Sequence, residues 1–409
     1  MSGSDEHLLL VSSDGHVGPP AESYREYVDP EYRADFDEWL DDYVPLWLAT
    51  KPKDPDIPVT WSEDFKQHWL DQDEVRWGIV GKWDAARRLE ALDEDGVTAD
   101  ILFPDDQSGN SPPFIGLARD FDRPWDSEYP PELKMAGSRA YNRWLAEFCS
   151  EAAERLLGIA VIGSFADVDA AIEEVRWAKE NGINGGALLP VYYYDTNEPF
   201  WNHRRYEPFW AACADLGVTL HTHVGPGTPN YGSGPEAPLL YAFESTWYPH
   251  RPLWFLTFSG VFERHPGLKL VFTEQPPITW VVETLGKMDG HVVENAQFAA
   301  ATRELLSLKP SEYFRRQVWI GATLLSRPEL ELRHRIGVDR MMWGSDFPHM
   351  ESHWPHARER LRDLMQGVPG DEVRAMVGGN AVRAYGLDVD TLQPTVDRIG
   401  PSVDQVVTA

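Results

Sequence analysis

Met341-Met342-Trp343-Gly344-Ser345-Asp346-Phe347-Pro348-His349 is the stretch whose reading decides the fold. A short apolar run breaks at a turn-forming glycine, Asp346 follows after one further residue, and His349 stands three positions on. A buried strand delivers a carboxylate to its C-terminal mouth in this way. Working outward, Leu8-Leu9-Leu10-Val11 runs into Asp14-Gly15-His16 near the start of the chain, and Val218-Thr219-Leu220 runs into His221-Thr222-His223 between the two. Three strand ends carrying oxygen and nitrogen donors need a fold that brings them together, and a closed parallel sheet does so. The expected fold is α/β, a (β/α)8 TIM barrel holding a metal at its C-terminal face.

The rest of the chain fits that expectation. Short apolar runs begin near residues 8, 98, 157, 186, 218, 268, 318 and 340, nearly all separated by segments of helical period. Such alternation argues for a parallel sheet. No glycine-rich phosphate loop follows the first run, which counts against an open dinucleotide-binding sheet. Residues 19–82, rich in Asp, Pro, Tyr and Trp and without sustained periodicity, read as an insertion after strand one that serves as lid or pocket wall. Trp39, Trp47, Trp61, Trp69 and Trp77 in that insertion fit an apolar or aromatic substrate, or packing of the insertion itself. Two helices, near His356–Met365 and Asp371–Tyr385, close a single domain spanning 1–392, and residues 393–409 read as a disordered or loosely docked tail.

Composition narrows the function. With 37 basic against 66 acidic residues and a formal charge of −29, the chain lacks the clustered cations that a nucleic acid or an anionic membrane requires. No apolar run reaches the roughly 18 residues of a spanning helix, and the polar start Met1–His7 is not a secretory signal. Cys149 and Cys213 have neither disulfide-framework nor zinc-knuckle spacing. A cytoplasmic protein acting on a small molecule is expected.

The strand ends supply Asp14, His16, His221, His223, Glu274 and Asp346. Residues i and i+2 of a strand share a face, so Asp14 with His16, and His221 with His223, can point inward together. Imidazole with carboxylate suits a divalent cation such as zinc, manganese or iron. Any one of these residues alone reads as a core histidine or a helix cap; agreement among four strand ends makes them a site. His221 reads as support for a ligand, and His349 as a substrate contact or an orienter of the strand-eight carboxylate. Glu22, Tyr192, Tyr193 and Tyr194 flank the expected mouth, while His250, His291, His353 and His356 read as surface or helix residues.

Asp14-Gly15-His16, the 216–225 segment around His221-Thr222-His223, and Trp343–His349 resemble the amidohydrolase-related (amidohydrolase 2) family. More narrowly they resemble the branch that includes aminocarboxymuconate-semialdehyde decarboxylase. Trp83–Leu89 with Asp95-Gly96-Val97, Pro310–Phe314 and Gly379–Tyr385 extend the resemblance over nearly the whole chain except the insertion and tail. The resemblance implies Asp14 and His16 as the first ligand pair, His223 as the strand-five ligand, and Asp346 as ligand, general base or both, with His223 and Asp346 the catalytic pair. Dimers are common among such relatives, so a homodimer is an expectation. Two departures stand out: the first pair is Asp-x-His, and strand six offers Glu274 where relatives often have His. Both harden the site toward iron or manganese and supply enough ligands for one metal or two. The same ligands serve two reactions. One is hydrolysis of an acyl substrate (amide, ester, thioester or C–C ketone), which the extra carboxylate at Glu274 favours. The alternative is non-oxidative decarboxylation of an aromatic or unsaturated acid. A barrel that has become a non-catalytic scaffold is the third reading.

Overall fold

The computed structural model describes residues 7–50, 81–105, 110–115, 129–190, 198–225, 227–229, 231, 234–349, 352 and 354–407, with backbone alone for 42–50 and 238. Eight parallel strands follow one another in sequence order around the sheet: β1 (Val11–Val17), β2 (Ala99–Pro104), β3 (Leu156–Val161), β4 (Gly186–Leu188), β5 (Thr219–His223), β6 (Lys269–Thr273), β7 (Val318–Thr323) and β8 (Met341–Gly344). Helices lie between them, giving a nearly closed TIM barrel. The strands are buried almost throughout, because helices cover one face and side chains fill the other.

Local chemistry explains the outer helices. Helix Ala85–Asp95 starts where Asp84 accepts the Arg87 N–H at 2.9 Å, and ends at Gly96 in the left-handed region at φ 78°. Asp167 caps Val168–Glu180 in the same way, accepting the Ala170 N–H at 3.1 Å. Glu207–Leu216 ends at Gly217, φ 65°.

Closure between β8 and β1 brings the two ends of the sheet together. Asp346 N–H donates to Asp14 O at 2.8 Å, and His16 N–H donates to Phe347 O at 2.9 Å. Ser345 N–H donates to Ser12 Oγ at 3.0 Å. β1 runs further than the sequence suggests: its register against β2 shifts between Ser12 and Gly15, so Asp14 and His16 lie within the strand beside this irregularity. Such bulges re-aim side chains at barrel rims.

Three expectations are corrected. The segment after residue 392 is folded: Val389–Ile399 and Val403–Val406 are helical, with Leu392, Val396 and Val406 buried. Leu8 N–H donates to Pro401 O at 2.8 Å, so this segment is fastened to the strand-one approach. His250 is buried at the end of a short turn, stacked on Trp280 at 3.7 Å. Within the insertion, 33–50 is helical despite its weak apolar period, and Trp39 packs on Phe36 and Phe114. Glu22 is exposed, as are His291 and His356. Trp61, Trp69, Trp77, Tyr192, Tyr193, Tyr194 and His353, with the Trp47 side chain, lie outside the described residues. No helix among the described residues is long and apolar enough to cross a membrane.

Candidate metal centre

At the C-terminal mouth, donors from four strand ends converge. His16 Nε2 lies 3.4 Å from Asp14 Oδ1 and 3.3 Å from Asp346 Oδ1. His223 Nε2 lies 3.4 Å from Asp14 Oδ1 and 3.4 Å from Glu274 Oε2. Asp14, His16, His223 and Glu274 each offer an atom within 4.8 Å of the others. Two of the donors leave their strands with strained backbone: Glu274 has φ 51° and Asp346 φ 60°. Non-glycine residues in that region cost on the order of 1–3 kcal/mol each and concentrate at functional sites.

Neighbouring residues hold the donors in place. His16 Nδ1 sits 3.0 Å from Pro104 O, and a carbonyl only accepts, so Nδ1 donates there and Nε2 is the atom turned to Asp14 and Asp346. Thr323 Oγ1 donates to Asp14 Oδ2 from the end of β7. Glycine makes room for Asp14, since a Cβ on Gly344 would lie 2.7 Å from the Asp14 Cβ. Behind them Arg88, fully buried, donates to His16 O at 3.0 Å, to Phe347 O at 3.1 Å and to Asp100 Oδ2 at 2.6 Å. A Cβ on Gly15 would lie 2.5 Å from the Arg88 guanidinium, so only glycine leaves space for that pair.

Burial and charge pull against each other here. Burial pushes the Asp14 carboxyl up, but hydrogen bonds and charge from His16 and His223 outweigh it and hold the group well below its usual range. For His16, burial pushes down while Asp14 and Asp346 raise it well above the usual imidazole range. Asp346 is held low against burial, chiefly by the His349 charge.

His349 stands between two carboxylates. Its Nε2 donates to Asp105 Oδ1 at 3.0 Å, and its Nδ1 lies 2.9 Å from Asp346 Oδ1. Burial and the His16 charge push it down, yet the two carboxylates win and it rises to about 9. The ring also stacks on His16 at 3.8 Å. Asp105 Oδ2 in turn lies 2.5 Å from Lys82 Nζ.

His221 stands apart from the donors. Its Nε2 meets Gly185 O at 3.1 Å, its ring stacks on Tyr385, and burial pushes it down to about 3, so it is a neutral core imidazole. It touches Phe103, whose ring lies 4.7 Å from His223.

The sequence therefore named Asp14, His16, His223, Glu274, Asp346 and His349 at places that meet in space, whereas Asp105, Lys82, Thr323 and Arg88 escaped it. Asp105 follows directly on β2 and obeys the same strand-end rule. Pro104, which closes the apolar run beginning near residue 98, separates Asp105 from that run and hides it.

A small crevice, with about 20 Å³ of free space, opens beside His223. Leu188, Leu189, Pro190, Trp201, Tyr248 and Pro249 give it an apolar wall, and Arg251 adds a cation.

A (β/α)8 barrel with buried carboxylates and imidazoles at its C-terminal mouth is the architecture of a metal-dependent enzyme. The chain belongs to the amidohydrolase family, whose model matches residues 64–387. It is 25% identical to the gamma-resorcylate decarboxylase of Rhodococcus jostii (strain RHA1) over 322 residues, 71% of this chain and 82% of that protein. Among solved structures, an amidohydrolase from Mycobacterium avium subsp. paratuberculosis K-10 superposes with TM-score 0.65 at 19% identity, covering 93% of this chain and 99% of the other. A dihydroxybenzoic acid decarboxylase from Polaromonas sp. JS666, solved with manganese and the inhibitor 2-nitroresorcinol, gives TM-score 0.59 at 19% identity, covering 93% and 97%. These structural likenesses carry the fold.

Proposed function

We propose that this chain is a divalent-metal-dependent, non-oxidative decarboxylase of an aromatic or unsaturated carboxylic acid. The observation that carries the proposal is the match to gamma-resorcylate decarboxylase across most of both chains. The hydrolytic reading favoured from Glu274 gives way to it, because the carboxylate-rich donor set is compatible with either reaction and the relatives named above include decarboxylases.

The donors fit a cation on their own geometry. Ligand atoms about 2.1 Å from one shared ion stand about 3.0–3.4 Å apart in octahedral or tetrahedral arrangement, and the separations here are 3.3 and 3.4 Å. Three buried carboxylates beside two imidazoles also call for positive charge, and a donor set this rich in oxygen suits manganese or iron. Asp14, His16, His223 and Glu274 would hold it, with Asp346 beside His16 at the edge of the group. Once bound, the cation supplies Lewis-acid charge that gathers a substrate carboxylate and a neighbouring oxygen.

The chain's own groups do the rest. Leu188, Leu189, Pro190, Trp201 and Tyr248 offer an apolar surface beside His223 that suits a flat ring, and Arg251 suits a polar or anionic ring substituent. Asp105 can only accept, so His349 Nε2 bears a hydrogen, and Nδ1 stands 2.9 Å from Asp346 Oδ1 without a hydrogen bond aligned between them. In this reading His349, held beside Asp346, is the source of the proton that Asp346 passes to the carbon losing carbon dioxide. The overall change is an acid anion plus one proton giving the arene and carbon dioxide, with no oxidant. A hydrolase would need that same carboxylate vacant as a base.

Manganese-loaded protein incubated with a panel of 2-hydroxybenzoic acids in deuterated water tests the proposal. Trapped carbon dioxide together with deuterium at the vacated ring carbon is expected. Hydrolysis of acyl substrates with water oxygen in the product, and no carbon dioxide from any acid, overturns it.

A further inference from the structure

We infer that Lys82 and Asp105 form a positioning pair that fixes the His349 ring against Asp346. The pair is unusually well enclosed: Lys82 is 2% exposed and Asp105 is fully buried. Two buried ions lose more hydration than their attraction restores unless other bonds use them, so such a pair is a poor device for stability alone. Here the second carboxylate oxygen is used. Oδ2 lies against Lys82 Nζ at 2.5 Å, which turns Oδ1 toward His349 Nε2 at 3.0 Å. With Nε2 committed, the ring presents Nδ1 to Asp346 at 2.9 Å, and stacking on His16 fixes its plane.

Both members are anchored to the same strand end as the metal donors. Gly18 N–H donates to Lys82 O at 2.9 Å, and Asp105 N–H donates to Val17 O at 3.1 Å. Asn110 Nδ2 donates to Gly18 O at 2.8 Å, and Tyr24 OH donates to Asn110 O at 3.0 Å, so the anchor is itself braced. Position is therefore passed from β1 through Lys82 and Asp105 to His349 and Asp346. Neither Lys82 nor Asp105 needs to touch substrate. His16, Asp105 and His349 also stand close enough to hold a cation, but the Lys82 ammonium already neutralises that carboxylate.

The inference rests on the decarboxylase reading for its activity readout and on geometry for its structural one. The test uses manganese-loaded Asp105→Asn and the double variant Lys82→Met/Asp105→Asn, which removes both buried charges together. Crystal structures should show the His349 ring turned away, with Nδ1 more than about 4 Å from Asp346, beyond hydrogen-bond reach. kcat should fall about 100-fold, the scale of a roughly 1 Å misplacement, with KM within about twofold and manganese content unchanged. A His349 ring unmoved in both variants overturns the inference, as does a kcat within about threefold of the parent once the ring has turned. If the parent releases no carbon dioxide from any acid, the functional reading falls, and the ring position still decides this one.

Discussion

Replacing Arg88 by Met tests how the site is braced. Arg88 and Asp100 are both fully buried and meet at 2.6 Å, and the guanidinium also serves the carbonyls of His16 and Phe347 across the β1–β8 closure. Removing one partner of a buried pair costs about 3–5 kcal/mol, because the other charge stays behind unpaired. Asp100 is already pushed up by burial in spite of Arg88. Without Arg88 it rises further above its unfolded value, so the folded state binds a proton that the unfolded chain lacks, and stability falls as pH rises. Urea unfolding of Arg88→Met should therefore show a loss of about 3–5 kcal/mol at pH 8 and a smaller one at pH 5. Arg88→Met/Asp100→Asn should recover at least half of the loss at pH 8. A loss below about 1 kcal/mol, or a double variant no better than the single, would refute the reasoning.

Three further outcomes are expected. Asp346→Asn should leave the circular dichroism spectrum unchanged and reduce turnover below detection; near-parental turnover removes its proton-transfer role. Manganese titration of the chelated protein should saturate at one equivalent per chain, since Lys82 neutralises Asp105 in the second donor cluster, and ion at 100 times its dissociation constant should stabilise by about 2.7 kcal/mol; a second tight equivalent in calorimetry contradicts that. Asp95, which accepts the Ala357 N–H at 2.8 Å, is pushed up to about 7 chiefly by burial. Its folded value lies above the unfolded one, so it favours folding at the acid end, and that contribution is lost as pH rises through about 7. Asp95→Asn should thus stabilise at pH 8, with a ceiling on the order of 4 kcal/mol, and have little effect near pH 4; equal effects at both pH values would reject the assignment.

The barrel was legible because short apolar runs alternate with helices whose ends are marked by capping residues, as at Asp84, Gly96, Asp167 and Gly217. Donor residues were legible where two fell at i and i+2 on one strand, as with Asp14 and His16. Register was harder to see. The shift between Ser12 and Gly15 is set by pairing with β2, so the sequence alone did not show that β1 carries its donors inside the strand. Side chains that act by contact, Lys82 and Thr323 among them, have no local period to betray them. The C-terminal helix Val389–Ile399 was hidden by Pro394 in its interior, although Leu392 and Val396 already lie four apart on one face.

Closure between the first and last strands has a consequence for how the molecule is made. Asp14 and His16 emerge at the start of synthesis, and Asp346 follows more than three hundred residues later. Such a contact carries a large loop-closure entropy and forms late. A nascent chain halted before β8 would offer an incomplete set of donors, so tight cation capture reports that the ring of strands has been completed.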